Sequence, residues 1–140
     1  MAESTIKKLE EGRAKFAFDK ATAAAANQSK KKDYKQYAKK MPMMIKSNGL
    51  GASIAFAFSK SKDKEGRITA WGLLYNDIDG WLRTDKKALL GNIGQNAQLA
   101  DVIISLNSAE YRAVAVEVLA FLNWLRRFAE GLIEGEAEDN

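Results

Sequence analysis

The sequence predicts an all-α fold: a compact single-domain bundle of about five to six helices. Three observations lead to that reading. Apolar residues recur near every 3.6 positions along most of the chain, whereas period-2 alternation is scarce. At 140 residues the chain has an ordinary single-domain length, enough to bury roughly 70% of its unfolded surface without staples. Proline occurs once, at Pro42, and no repeat or low-complexity linker divides the sequence. The domain is expected to span residues 1–134, with an acidic, frayed tail over 135–140.

The elements follow in order. Ile6, Leu9, Arg13, Phe16 and Lys20 trace one side of a first helix, and the alanine run Ala23 to Ala26 favours helix until about Asn27 to Ser29. A second helix begins after Lys32, with Asp33 as its candidate cap, and carries Tyr34, Tyr37, Ala38 and Met41. Pro42 lacks an N–H and disfavours the helical conformation at Met41, so a bend or restart is expected there. Ser47-Asn48-Gly49 is a stop signal, because Asn and Gly tolerate the left-handed conformation. Leu50 to Ser59 reads as a third helix, although Ala55 and Ala57 alternate with apolar neighbours and leave a strand open. Lys60 to Gly66 reads as an exposed loop.

Ile68 to Leu82 is expected to form a fourth helix with Trp71, Leu74, Tyr75, Ile78 and Leu82 on one face, against the weakening effect of Gly72 and Gly80. Gly91, Gly94 and Asn96 mark Asp85 to Asn107 as turn-rich, with a further helix over Ala97 to Leu106. The last helix is the clearest. Asn107 is placed to cap it, with Glu110 returning the bond as in a capping box. Tyr111, Ala115, Val118, Leu122, Leu125, Ala129 and Leu132 then step by four and three, widened by Val114, Phe121, Trp124 and Phe128.

Composition narrows the function. Cysteine and histidine are both absent, which removes disulfides, thiolate zinc sites and the usual general base and metal ligand. Met1 to Gly12 is charged and lacks the apolar core of a signal peptide, and no uncharged window approaches the ~20 residues of a membrane span. A cytoplasmic protein without a membrane partner is expected. The net charge of +4 is unevenly distributed: residues 1–67 hold 16 Lys or Arg against 7 Asp or Glu, and residues 68–140 hold 6 against 11. Such polarity fits a basic face for a polyanion, or simply a solvated surface.

The basic segment comprises Lys30, Lys31, Lys32, Lys35, Lys39, Lys40 and Lys46, of which Lys32, Lys35, Lys39 and Lys46 recur at helical spacing. Lysine suits phosphate contact without base reading. Tyr34 and Tyr37 read as packing residues, with base stacking as the alternative. Arg126 and Arg127 are placed to bind phosphate or to pair with Glu130, and 100° of helix separates them, so at most one faces a groove. Asp77, Asp79 and Asp85 form the single acidic cluster worth testing for a metal, but carboxylates two apart on a helix diverge. Asn48-Gly49-Leu50-Gly51 has no preceding strand and no Gly-Lys-Ser/Thr, so it is not a nucleotide loop. Ser47 and Ser53 have no histidine to activate them. No cofactor, metal or catalytic residue is expected.

The run Tyr34-x-x-Tyr37-x-x-Lys40-x-Pro42-Met43-Met44-Ile45-x-x-Asn48-Gly49-Leu50-Gly51 resembles the signature of the Cmr-type small subunit of type III-B CRISPR RNA-guided effector complexes. Ala52 to Ser61, Tyr111, and Leu119-x-Phe121-Leu122-x-Trp124-Leu125-Arg126-Arg127-Phe128-Ala129 are similar too. The resemblance implies an all-helical, non-catalytic subunit in antiviral defence, stacked as a short filament beside the backbone subunits. It implies guide RNA, target RNA, other Cmr subunits and neighbouring copies as partners, with contacts to phosphate and sugar rather than base edges. Lys39, Lys40, Lys46, Asn48 and Gly49 are the positions it assigns to RNA, followed by Lys35 and Arg127. Asn48 and the Gly49 amide would donate hydrogen bonds. The acidic stretch Asp77 to Asp85 would meet the basic edge of the next copy. The competing readings are a free-standing helical adaptor with an incidental basic face, and a nuclease using Asp77 and Asp79.

Overall fold

A computed structural model describes residues 2–84, 90, 94 and 96–135, without the side chains of residues 2–7 and 9. Its helices are α1 (Ala2–Ala25), α2 (Lys31–Asn48), α3 (Leu50–Ser59), α4 (Ala70–Thr84), α5 (Leu99–Ile104) and α6 (Ser108–Leu132). The described residues form no strand. One isolated antiparallel bridge, Lys62 to Ile68, closes the α3–α4 loop. The fold class is the expected one.

Helix α6 is the spine, with α1 packed along one side and α2 along another. Ala17, Ala21 and Ala24 of α1 are buried at spacings of four and three, and their small side chains allow close helix approach. Phe16 fills the space beside them, with its ring centroid 5.5 Å from Trp81 and 5.8 Å from Phe121. Lys20 is only half-buried, its Nζ 5.2 Å from the centre of the Phe16 ring. The predicted seam positions Ile6 and Leu9 have side chains outside the described residues.

Two expectations for α2 are corrected. The helix starts at Lys31, and Lys30 stands at its cap without a side-chain bond; Asp33 lies inside the first turn, where its charge complements the helix dipole. Of the two outcomes expected at Pro42, the restart does not occur: the helix continues through it to Asn48. Proline removes one N–H, the partner of the Ala38 carbonyl. Buried Ala38, Met41 and Ile45 on either side hold the helix together across that gap. It stops where expected, because Gly49 has φ +92° and its N–H donates to the Ile45 carbonyl at 2.9 Å. The strand alternative for Leu50–Ser59 is not realised: Leu50, Ser53, Ile54 and Ala57 are buried at helical spacing.

Helix α4 buries the predicted Trp71, Leu74, Tyr75, Ile78 and Leu82, together with Trp81. Gly72 is required by packing rather than by its backbone angle. A Cβ there would strike the Ser61 carbonyl oxygen and would lie 2.6 Å from Ile68 Cγ1. Gly72→Ala is therefore expected to push the α3–α4 loop off α4, at a cost of about 3 kcal/mol in urea denaturation. Gly12→Ala, inside α1 with nothing within 4 Å of the added Cβ, serves as the control and should stabilise by about 0.5–1 kcal/mol.

Within the turn-rich region, α5 occupies the centre of the predicted helix over Ala97 to Leu106. Residues 85–89, 91–93 and 95, Gly91 among them, lie outside the described residues. The capping box of α6 is formed: Glu110 N–H donates to Asn107 Oδ1 at 2.8 Å, and Asn107 N–H donates to Glu110 Oε1 at 3.1 Å. Val114, Val118, Phe121, Leu122, Leu125 and Ala129 are buried, whereas Leu132 is exposed.

A charge sits inside this apolar spine. Glu117 is buried and accepts Arg13 Nε at 2.7 Å and Nη2 at 2.9 Å, a two-point pair joining α6 to α1. The Trp81 indole N–H donates to Glu117 Oε2 at 3.0 Å. Arg13 Nη1 also donates to Glu10, which in turn accepts the Trp124 indole N–H at 3.2 Å. Both ions are thus paired and hydrogen-bonded, as burial requires.

Candidate nucleic-acid interface

The basic residues of α2 divide between two faces of that helix. Lys35, Lys39, Pro42 and Lys46 step by four, three and four, which places them on one side. Pro42 and Lys46 meet Leu119, Ala120, Asn123 and Arg126 of α6 across a surface groove of about 300 Å³. On α6, Leu119, Asn123, Arg126 and Glu130 repeat the same four-three-four step. Two helices therefore present facing rows, with Lys39, Lys46 and Arg126 as the cations. Lys39 and Lys46 are exposed, and Arg126 is half-exposed with Glu130 at 3.8 Å.

Lys35 belongs to this row but has a structural partner. Its Nζ donates to the carbonyls of Ile133 at 3.1 Å and Gly135 at 2.9 Å. The ammonium thus stands at the negative end of the α6 dipole and ties that end to the start of α2. Arg127 is exposed and lies 100° away from Arg126, outside the groove lining. Of the arginine pair, Arg126 faces the groove. The four-three-four step from Leu119 through Asn123 is the sequence signal that singles it out.

Lys40 and Asn48 fall on the other side of α2 in a row with Met44, and Met44 and Asn48 line a groove against α3. Lys40 and Asn48 are both exposed. The Gly49 amide differs from expectation, because its proton is already donated to Ile45. What Gly49 contributes is the sharp turn joining the two helices. The expected RNA positions are thus not one cluster but two, back to back on α2.

The tyrosines pack. Tyr34 is fully buried, and its hydroxyl donates to Asp77 at 2.6 Å, joining α2 to α4. Tyr37 stacks on Trp71 with ring centroids 4.1 Å apart and planes 8° from parallel. Burial raises the Asp77 carboxyl to about 6, offset in part by the Tyr34 hydrogen bond and the positive charge of Lys20. Asp79 turns away to Arg83 at 2.9 Å, so the two carboxylates diverge. Among the described residues, no group of three His, Cys, Asp or Glu is arranged to hold a metal. Asp85 lies outside them. Of the acidic stretch anticipated for contact with a next copy, Asp77 is largely enclosed and Asp79 is paired with Arg83. No helix among the described residues is long and apolar enough to cross a membrane.

Comparison with known proteins agrees with this architecture. The family model described as "CRISPR-associated protein (Cas_Cmr5)" matches residues 9–132. The CRISPR system Cmr subunit Cmr5 of Thermus thermophilus is 27% identical over 124 residues, covering 86% of this chain and 92% of that protein. The crystal structure of a CRISPR-associated Cmr5 family protein from Thermus thermophilus superposes with a TM-score of 0.69 at 26% identity, covering 89% of this chain and 97% of the other. A match over nearly the whole helical domain, with the same fold, places the chain in the CRISPR-associated Cmr5 family.

Proposed function

We propose that this protein is a non-catalytic structural subunit of a type III-B (Cmr) CRISPR effector complex. In that reading it stacks with copies of itself beside the backbone subunits and lines the channel that holds guide and target RNA. The facing rows of α2 and α6 carry the proposal, because Lys46 and Arg126 line one groove and the exposed Lys39 stands in the same α2 row, three residues before Pro42. Three cations on a rigid helical frame suit a phosphate backbone and read no sequence. Lys40 and Asn48 extend the contact around α2, and Arg127 lies at its margin. One copy supplies few phosphate contacts, so useful affinity comes from several copies in register.

The test is target-RNA retention by the assembled complex as salt is raised. Co-expression with backbone subunits and a guide RNA should bring the wild-type chain into a ribonucleoprotein. Replacing Lys39, Lys46 and Arg126 together by glutamine should leave assembly intact and weaken retention. The log–log salt slope should shrink by roughly 0.7 for each phosphate no longer neutralised, about 2 for all three. An unchanged slope would remove the groove from the RNA path. Failure of the wild type to enter any ribonucleoprotein, with capture of a protein partner instead, would favour a helical adaptor.

A further inference from the structure

The second face of α2 has a chemistry of its own. Lys40, Met44 and Asn48 form a row at steps of four along α2, and Ala52 and Phe56 of α3, with Lys60 at its C-cap, continue a matching row. The two rows converge on Gly49, whose φ of +92° lets α3 begin one residue after α2 ends. Between the arms lies an open groove of about 600 Å³, lined by Met44, Asn48, Ala52, Ser53 and Phe56. Its floor is braced from behind: the Phe56 ring meets Trp71 edge-on at 5.1 Å, and Trp71 stacks on Tyr37.

Cations stand toward the open end of each arm. Lys60 Nζ lies 5.9 Å from the centre of the Phe56 ring, and Lys40 is one turn from Met44. Neither row contains an acidic residue. The middle of the groove is apolar and aromatic, and the exposed Asn48 amide supplies an NH2 donor group and a carbonyl acceptor near the turn. Ser53 adds little, because its hydroxyl already donates to the Gly49 carbonyl at 2.8 Å.

An apolar slot with an amide at its vertex and a positive charge on each side matches one nucleotide of a single strand. The base meets Met44 and Phe56, its edge meets Asn48, and the flanking phosphates meet Lys40 and Lys60. We infer that the α2–α3 groove holds an unpaired base, a contact distinct from the phosphate seam on the α2–α6 side. This inference rests on the RNA-channel reading and deepens it, since the α2–α6 seam touches no bases. Two charges of one sign, with an aromatic ring between them, favour a nucleotide over an acidic peptide, which would gain nothing from the ring.

The full-length chain at low salt, titrated with two single-stranded RNA oligomers, tests the inference. One oligomer carries 2-aminopurine as the single base of an otherwise abasic strand; the other has the same number of phosphates and is abasic throughout. Base–aromatic contacts predict at least about fivefold tighter binding of the first, with quenching of its fluorescence. Ala52→Leu, at an exposed position with room on a helix, should fill the groove and bring the two affinities together. Phe56→Leu should do the same by removing the ring. Equal binding of both oligomers by the wild type would overturn the base contact while leaving the phosphate seam standing. Persistence of the preference in Ala52→Leu would overturn its location. Displacement of 2-aminopurine RNA by polyglutamate, without any base preference, would make this a protein-binding face. Binding of neither oligomer at low salt would overturn the base contact, whereas the phosphate seam, which acts through several copies in register, stands or falls on the assembled complex.

Discussion

Glu117→Leu is expected to destabilise the protein by about 3–5 kcal/mol, a large share of the 5–15 kcal/mol typical of a domain. The removed carboxylate is the acceptor for two Arg13 bonds, at 2.7 and 2.9 Å, and for the Trp81 indole at 3.0 Å. Arg13 stays buried at the α1–α6 contact, and Glu10, more than half exposed, is a weak substitute partner. Removing the two-point counter-ion of a buried cation is what makes the single substitution severe. Arg13→Met combined with Glu117→Leu should recover most of the loss, because two apolar side chains of similar volume carry no uncompensated charge. The residual deficit should be about 1 kcal/mol, from the indole N–H left without an acceptor. Urea denaturation of the two single variants and the double variant measures the coupling. If Glu117→Leu lost less than about 1 kcal/mol, the network would not be what joins α1 to α6.

Glu117 also shows where sequence reasoning stops. The buried stripe of α6 was legible from its spacing, and its start was legible from Asn107 and Glu110, because both depend on residues within a few turns of one another. Glu117 lies three residues after Val114 and four before Phe121, squarely on that stripe. Its partner is 104 positions away, and helical periodicity carries no information at that range. The same limit governs the candidate site. The lysine stripe of α2 was visible, but which lysine faces which helix was not. Lys35 proves to hold the end of α6, Asn48 lines a groove against α3 with Lys40 in the same helix row, and Arg126 rather than Arg127 meets the α2–α6 groove. The continuity of α2 through Pro42 has a similar cause: local preference allows a bend or a restart, and burial on either side of the proline rules out the restart.

Asp77 gives the second large effect, with the opposite sign at neutral pH. Burial raises its carboxyl to about 6 in the folded protein, against an ordinary value near 3.8 in the unfolded chain. The folded state therefore binds the Asp77 proton more tightly. The stability this group contributes is fully present below about pH 4 and is lost as pH rises through 6. At pH 7 the carboxylate is charged while largely enclosed between α2 and α4. It is compensated only in part by the Tyr34 hydroxyl at 2.6 Å and the charge of Lys20. Asp77→Asn keeps an oxygen to accept the Tyr34 hydroxyl and carries no charge at any pH. It should be more stable than the wild type by about 2–3 kcal/mol at pH 7 and nearly equal to it at pH 4. Tyr34→Phe separates the hydrogen bond from the burial. It leaves the carboxylate enclosed without that donor, so the wild-type loss between pH 4 and 7 should steepen. Denaturation midpoints for the three proteins across that range decide the matter, and parallel profiles for wild type and Asp77→Asn would show that the carboxyl titrates as it does in the unfolded chain.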